Sequence, residues 1–385
     1  MNNTIAYVTH EGTINLVDSK LNIVKSIRQP DMLLSWPTFS QNNEYIIFSG
    51  TRTFPGKNTK NVNALYLLNL KNDQIPRLVY INESDTGMIS TDTPHYVLGS
   101  PDSSKVAFIS QTIEGGMSLF VKVQNSSNLL KIIDGAPIYF SWSADSNYLM
   151  VHVSDSYYLA NVNNGELVKL DGDSSLCMCP MWSPVNDYCL LGIDYENDKQ
   201  RIGLVDYEGQ FSNVMDVDGA ATFIWDPAGK YFALAENLDN DRGYYNTTSI
   251  IDTNGCSKEI LISDPLLCMF WSPKGDQICY VTLSENGYGS LRFGVCDFNG
   301  NIIYLPDFKP SQMQLISYMF FDQYSISHSP WSADGERIIF SGLLGYESER
   351  TPLPSDEEVH VYQVEISSPN YAQKIDRGTF GVWTR

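Results

Sequence analysis

The sequence predicts an all-β fold: an eight-bladed β-propeller of four-stranded antiparallel blades, closed by pairing of the C-terminal strand with the N-terminal blade. Three observations predict it. One hairpin is written repeatedly along the chain, signals for two further strands follow the copies, and the beat of the repeat passes through both chain ends without slippage.

The hairpin reads TFSQNNEYIIF, LGSPDSSKVAF, SWSADSNYLMV, MWSPVNDYCLL, IWDPAGKYFAL, FWSPKGDQICY and PWSADGERIIF. Its anchors, the residues before the Ser, are Phe39, Gly99, Trp142, Trp182, Trp225, Trp271 and Trp331. In every copy an apolar triplet begins seven residues after the anchor, at Ile46, Val106, Leu149, Cys189, Phe232, Ile278 and Ile338. The position after the anchor is Ser in six copies and Asp226 in the other, a short acceptor suited to the backbone N–H groups of a turn. Pro or Ala two residues after the anchor fits a tight turn. Two more β-like runs follow, as in IGLVDY-EG-QFSNV and RFGVCDF-NG-NIIYL. Asn-Gly between alternating apolar residues is a strong hairpin signal. Four strands per unit, with roughly 40 to 60 residues between anchors, is the propeller pattern.

The C-terminus supplies the eighth anchor, Trp383, followed by Thr384. Counting on from Arg385 to Met1, the seventh position after Trp383 is Ile5, which opens IAYV. Blade 1 is therefore expected to combine residues 378–385 with 4–29, and residues 1–385 to form one domain. Gly99 lacks the aromatic, and a seven-bladed ring is the second reading.

These units resemble TolB-type propeller repeats, whose hallmark is an aromatic followed by Ser-Pro-Asp-Gly and an apolar strand. The hallmark stands here as WSPKG at 271–275, WSADG at 331–335 and SPDSS at 100–104. The resemblance covers essentially the whole chain and implies the propeller fold. It extends to the propellers of TolB, of prolyl-oligopeptidase-like peptidases and of oligogalacturonate lyases. The last hold a metal with His and Gln at the channel mouth, but no motif matches residue by residue, so no ligand set is carried over. The sequence lacks the G-x-S-x-G elbow of a hydrolase domain.

Lys and Arg total 25 against 45 Asp and Glu, a formal charge of −20. Such a field repels nucleic acid and anionic membrane surfaces, so neither is expected as a partner. A cationic ligand is compatible with it. No run approaches the ~18 apolar residues of a membrane span. The first residues lack the basic and apolar regions of a secretory signal. The seven cysteines form no CxxC pair. A reduced, cytoplasmic protein is expected.

The repeat places the short hairpin turns on one face of the ring, the lower face, and the long connections on the other. Binding residues favour variable loops on a rigid scaffold, which points to the upper mouth of the channel. Innermost strands meet that mouth three positions before each anchor, at Trp36, Tyr96, Tyr139, Cys179, Thr222, Cys268, His328 and Phe380. Their aromatics, with His95 and Phe321, are the candidate ligand-binding residues. An aromatic wall amid acids such as Asp31, Asp92, Asp322 and Asp376 could hold a cation by ring-face attraction, or stack a planar ligand. Asp322, Tyr324 and His328, if extended, share one side of a strand and could form an acid–base relay. The histidines lean toward the upper face, so a divalent metal ion remains open as a cofactor, with candidates His10, His152 and His328. The apolar segment 306–326 could plug the channel, wall a pocket or meet a partner.

The leading functional expectation is a propeller binding a small molecule or peptide at the upper mouth. An enzyme (lyase, hydrolase or cyclase, metal-assisted or not) using the same residues is the alternative, and a protein-interaction scaffold the third. Fold alone does not choose among them.

Overall fold

The computed structural model describes residues 3–52, 61–84, 96–111, 116–175, 179–195, 199–237, 244–253, 258–285, 289–345 and 354–385. Their strands fall into eight consecutive antiparallel groups. The first joins Phe380–Trp383 to Ile5–Val8, Ile14–Val17 and Ile23–Ile27. The last two are fused into one sheet: the short strand Phe308–Pro310 pairs with Leu291 on one side and with Leu344, Leu343 and Gly342 on the other. In the eighth group the innermost strand shrinks to the single bridge Trp331↔Ile338.

The seven-residue beat of the sequence is the pairing register of the hairpins. Each anchor faces the residue seven later: Phe39↔Ile46, Gly99↔Val106, Trp142↔Leu149, Trp182↔Cys189, Trp225↔Phe232, Trp271↔Ile278 and Trp331↔Ile338. Across the chain ends the same rule gives Ile5↔Trp383. Gly99, the copy without an aromatic, keeps the register.

The residue after the anchor locks this turn. The side-chain oxygens of Ser100, Ser143, Ser332 and Asp226 accept the N–H of the residue five further on, at 2.9, 2.9, 2.9 and 2.7 Å. Thr384 does the same across the chain ends, accepting from Thr4 N at 3.1 Å. These short acceptors satisfy donors that a hairpin end would leave bare.

The anchors also bind blade to blade. The indole N–H groups of Trp142, Trp225, Trp271 and Trp331 donate to Leu98 O, Met181 O, Ile224 O and Phe270 O at 3.1, 2.9, 3.0 and 3.1 Å. Each acceptor is the residue just before the preceding blade's anchor, so these four indoles reach one step back around the ring. Innermost strands lie beside one another in succession, and Arg337–Leu344 of the last blade packs on Phe380–Trp383 of the first. Trp182 and Trp383 depart from the rule: both indole nitrogens are buried without a partner, and the Trp182 ring stacks on that of Tyr207 at 5.2 Å.

Segment 306–326 contains two helices, α1 (Gln312–Met319) and α2 (Phe321–Tyr324). Ser311 caps α1, accepting from Gln314 N at 3.1 Å and donating to Thr379 O at 2.5 Å. The expectation of extended backbone at 322–328 is overturned: Asp322 to Tyr324 are helical, and His328 N donates to Tyr324 O at 2.8 Å. Among the described residues no helix is long and apolar enough to cross a membrane.

Trp271→Phe leaves Ile224 O buried without its donor and is expected to cost on the order of 1–2 kcal/mol more than Trp182→Phe, which loses the same ring volume but no hydrogen bond. Paired chemical denaturation of the two variants measures this; equal losses would remove the indole clamp from the account.

Candidate functional site

Helix α2 and the innermost strands share one aromatic cluster. Trp36 sits in a β-bulge between Ser35 and Thr38, with φ of 51°, and its ring stacks on Tyr324 at 5.1 Å and 11°. Bulges re-aim side chains, and the left-handed backbone of a residue before Pro37 is held here by packing. Phe380 and His328 close on the same indole at 5.3 and 5.8 Å, and Tyr96 meets Tyr324 edge-on at 5.7 Å. Trp36, Tyr96, Tyr324 and Phe380 are all buried. Phe321 packs on Phe270 and Tyr245. Of the three-before-anchor positions, Trp36, Tyr96, His328 and Phe380 gather around Tyr324 of α2, and their ring faces are spent on it and on one another. Of the acids expected beside them, Asp376 accepts from the Tyr7 hydroxyl at 2.5 Å, Asp31 is exposed at the surface, and Asp92 lies outside the described residues.

Of the relay residues, Tyr324 and His328 meet edge-on at 5.3 Å, and Asp322 turns away. His328 is buried, with Nδ1 2.7 Å from Ser327 Oγ and Nε2 3.2 Å from Thr38 Oγ1. Burial, with the positive charge of Arg385, pushes its pKa down to about 3, so the ring is neutral at physiological pH. Asp322 instead turns toward Cys179 and Gln323, whose backbone N–H groups it accepts. Desolvation pushes its pKa up to about 6 despite those bonds, and Tyr139 is raised to about 12 by its own burial and then by the Asp322 charge. A helical backbone sends residues two apart to different sides, which separates Asp322 from Tyr324.

The metal candidates are likewise dispersed. His152 is buried between the rings of Tyr139 and Tyr157, at 6.1 and 4.5 Å. His10 lies in the turn after Ile5–Val8, with both ring nitrogens enclosed and unpartnered. His95 lies outside the described residues. Among the described residues no group of three His, Cys, Asp or Glu side chains could hold a metal ion.

The open space is on the other face. A cavity of about 410 Å³ occupies the lower end of the channel. Six anchor tryptophans, Trp142, Trp182, Trp225, Trp271, Trp331 and Trp383, contribute to its wall, and Ser325, Ile326, Ser327 and Ser329, which trail α2, roof it. The same insertion therefore packs α2 against Trp36 and Phe270 and contributes to the cavity wall. Every blade also contributes the residue two past its anchor: Gln41, Pro101, Ala144, Pro184, Pro227, Pro273, Ala333 and Arg385. Two charged side chains line the space. The Asp226 carboxylate is occupied by the N–H groups of Ala228, Lys230 and Tyr231. Arg385 is different: Nε and Nη2 are enclosed without a partner. Its backbone is pinned to Asn43, donating to Oδ1 at 2.9 Å and accepting from Nδ2 at 2.5 Å. The guanidinium is close enough to Tyr96 and His328 to influence both, and desolvation lowers its own pKa to about 10. The sequence carried one signal of this site, a long polar residue at a position filled by Pro or Ala in six of the other blades.

Over its full length the chain is similar to a crystal structure of the eukaryotic initiation factor, at TM-score 0.60 and 11% identity, covering 100% of this chain and 99% of that one. It is also similar to the β-propeller domain of the Trilobed protease from Pyrococcus furiosus, at TM-score 0.52 and 12% identity, covering 91% and 99%. The chain is a β-propeller. TolB from Acinetobacter baumannii, whose repeat type the sequence resembles, matches at TM-score 0.43 and 14% identity, over 78% of this chain and 77% of that one. No protein-family model and no curated protein matches the sequence. At such identities the likeness speaks for the fold alone. The Pyrococcus domain is described as an open velcro; here Phe380–Trp383 pairs with Ile5–Val8.

Two titrations should be readable. The native state holds the Asp322 proton to higher pH than the unfolded chain does, so its contribution to stability is full below about pH 4 and lost as pH rises through about 6. Asp322→Asn should therefore stabilise the protein on the order of 1–2 kcal/mol at pH 7.5, and the gain should vanish near pH 4. His328 has the opposite sign: its depressed pKa gives stability that is present above pH 6.5 and lost as pH falls toward 3. His328→Gln should flatten the acid limb. Denaturant midpoints across pH 4–8 test both, and unchanged pH profiles would refute them.

Proposed function

We propose that this propeller is a ligand-binding module and that its site is the tryptophan-lined cavity at the lower end of the channel. The observation that carries this reading is the cavity itself: about 410 Å³, within the size range of small-molecule sites, apolar over most of its wall, with a small number of polar groups. Indoles give such a site large flat contact area at little conformational cost. Their N–H groups are largely committed to the neighbouring blade, so the walls are held before a ligand arrives. The ligand is a small molecule or the end of a peptide, since the roof at Ser325–Ser329 stops the channel from being threaded.

Binding of a small molecule here should change tryptophan fluorescence and raise the melting temperature; a ligand at about a hundred times its Kd adds about 2.7 kcal/mol. Ala144→Trp grows a ring from the cavity rim and should abolish both responses while the protein stays folded by circular dichroism. Ligands that bind this variant as well as the parent would place the site elsewhere.

A further inference from the structure

We infer that the cavity selects an organic oxyanion, a small carboxylate carrying an apolar, flat or chain-like body, and that Arg385 is the residue that holds its charge. The inference rests on the cavity being the ligand site, and it names the class of ligand that site takes.

The argument begins with the repeat. The residue two past each anchor lines the cavity in all eight blades. Six of these residues are Pro or Ala, which have no polar side-chain atoms. The exceptions, Arg385 in blade 1 and Gln41 in blade 2, stand on adjacent blades. The turn does not require a cation there, because Thr384 and Asn43 already hold its backbone. Blade 1 has thus placed a guanidinium where the architecture asks only for a small residue.

That guanidinium is uncompensated. Among the described residues Nε and Nη2 have no hydrogen-bond partner, and no Asp or Glu side chain lies within 4 Å of the group. The neighbours it does influence, His328 and Tyr96, are a neutral ring and a phenol whose hydroxyl donates to Phe140 O at 2.9 Å. The other charged side chain in the cavity, Asp226, is turned to its own hairpin. An enclosed cation without a partner is costly to keep, and the cost is relieved when an oxyanion accepts its N–H groups. A carboxylate matches the planar fork of a guanidinium, and the partly exposed Arg385 side chain lines the cavity where such a group would sit. The rest of the wall is indole and aliphatic, so the anion must carry an apolar body to fill the space. A bare inorganic anion would leave that wall uncovered. The exposed Gln41 amide on the neighbouring rim offers a further donor.

The test uses matched pairs: 2-naphthoate with 2-naphthamide, and octanoate with octanamide, titrated into the full chain by calorimetry with tryptophan fluorescence as a second readout. Acetate and inorganic phosphate serve as charge-only probes. The expected result is that at least one carboxylate binds about tenfold or more tightly than its amide, that acetate and phosphate bind far more weakly, and that Arg385→Gln erases the carboxylate preference. Because the variant removes an unpaired enclosed charge, its melting temperature without ligand should hold or rise; a fall would mark Arg385 as structural and overturn the assignment. Equal binding of carboxylate and amide would overturn the inference while leaving the cavity as the site. A carboxylate preference that survives Arg385→Gln would move the anion elsewhere. Failure of every probe to bind would overturn the cavity as ligand site and this inference with it.

Discussion

The pairing of Phe380–Trp383 with Ile5–Val8 is the contact on which the rest of the molecule depends. Without it the blades would form an open row, and the sheet at each end would present an unpaired edge to solvent. With it, main-chain hydrogen bonds join residues almost the whole chain length apart, and the innermost strands are forced around a common axis. The channel, the plug inside it and the cavity beneath it exist only because that circle is shut. The indole-to-carbonyl bonds then fix the angle between neighbouring blades, so the circle has little freedom to open or flatten.

Closing a ring of this size leaves a hole that the blades' own side chains do not fill. The chain fills it with a segment of its own. α1 is tied to the rim through Ser311, and α2 delivers Tyr324 onto Trp36 and Phe321 onto Phe270. The bulge that aims Trp36 inward is a local strain, tolerated because a buried aromatic stack compensates it. The residues trailing α2 then become the roof of the remaining space. One insertion thus settles which end of the channel is solid and which is hollow.

The hairpin was legible in the sequence down to its register, because a turn of fixed length obliges the anchor and the seventh residue to face one another, with or without the aromatic, as Gly99 shows. The acceptor after the anchor was legible for the same reason. The central position of Trp36, Tyr96 and Phe380 also followed from counting. What counting could not show was that their ring faces were already taken. In residues 306–326 polar Gln314 and Ser317 are buried while Met319 and Phe320 are exposed, so the segment carries no clean apolar period by which α1 and α2 could be recognised. Helical geometry is also what turned Asp322 away while keeping the Tyr324 and His328 rings together, edge-on at 5.3 Å. The cavity's face was missed because the short turns that frame it were read as scaffold only.

The eight positions that frame that cavity sit in turns, outside the strand ladders and outside the indole clamps. A side chain there can change without altering a single inter-strand bond. The ring therefore separates the residues that build it from those that give its pocket a chemical character. In evolutionary terms, one scaffold of this kind can be retuned to new small molecules by drift at a few rim codons, and in engineering terms it offers a site whose selectivity can be rewritten in a small combinatorial library.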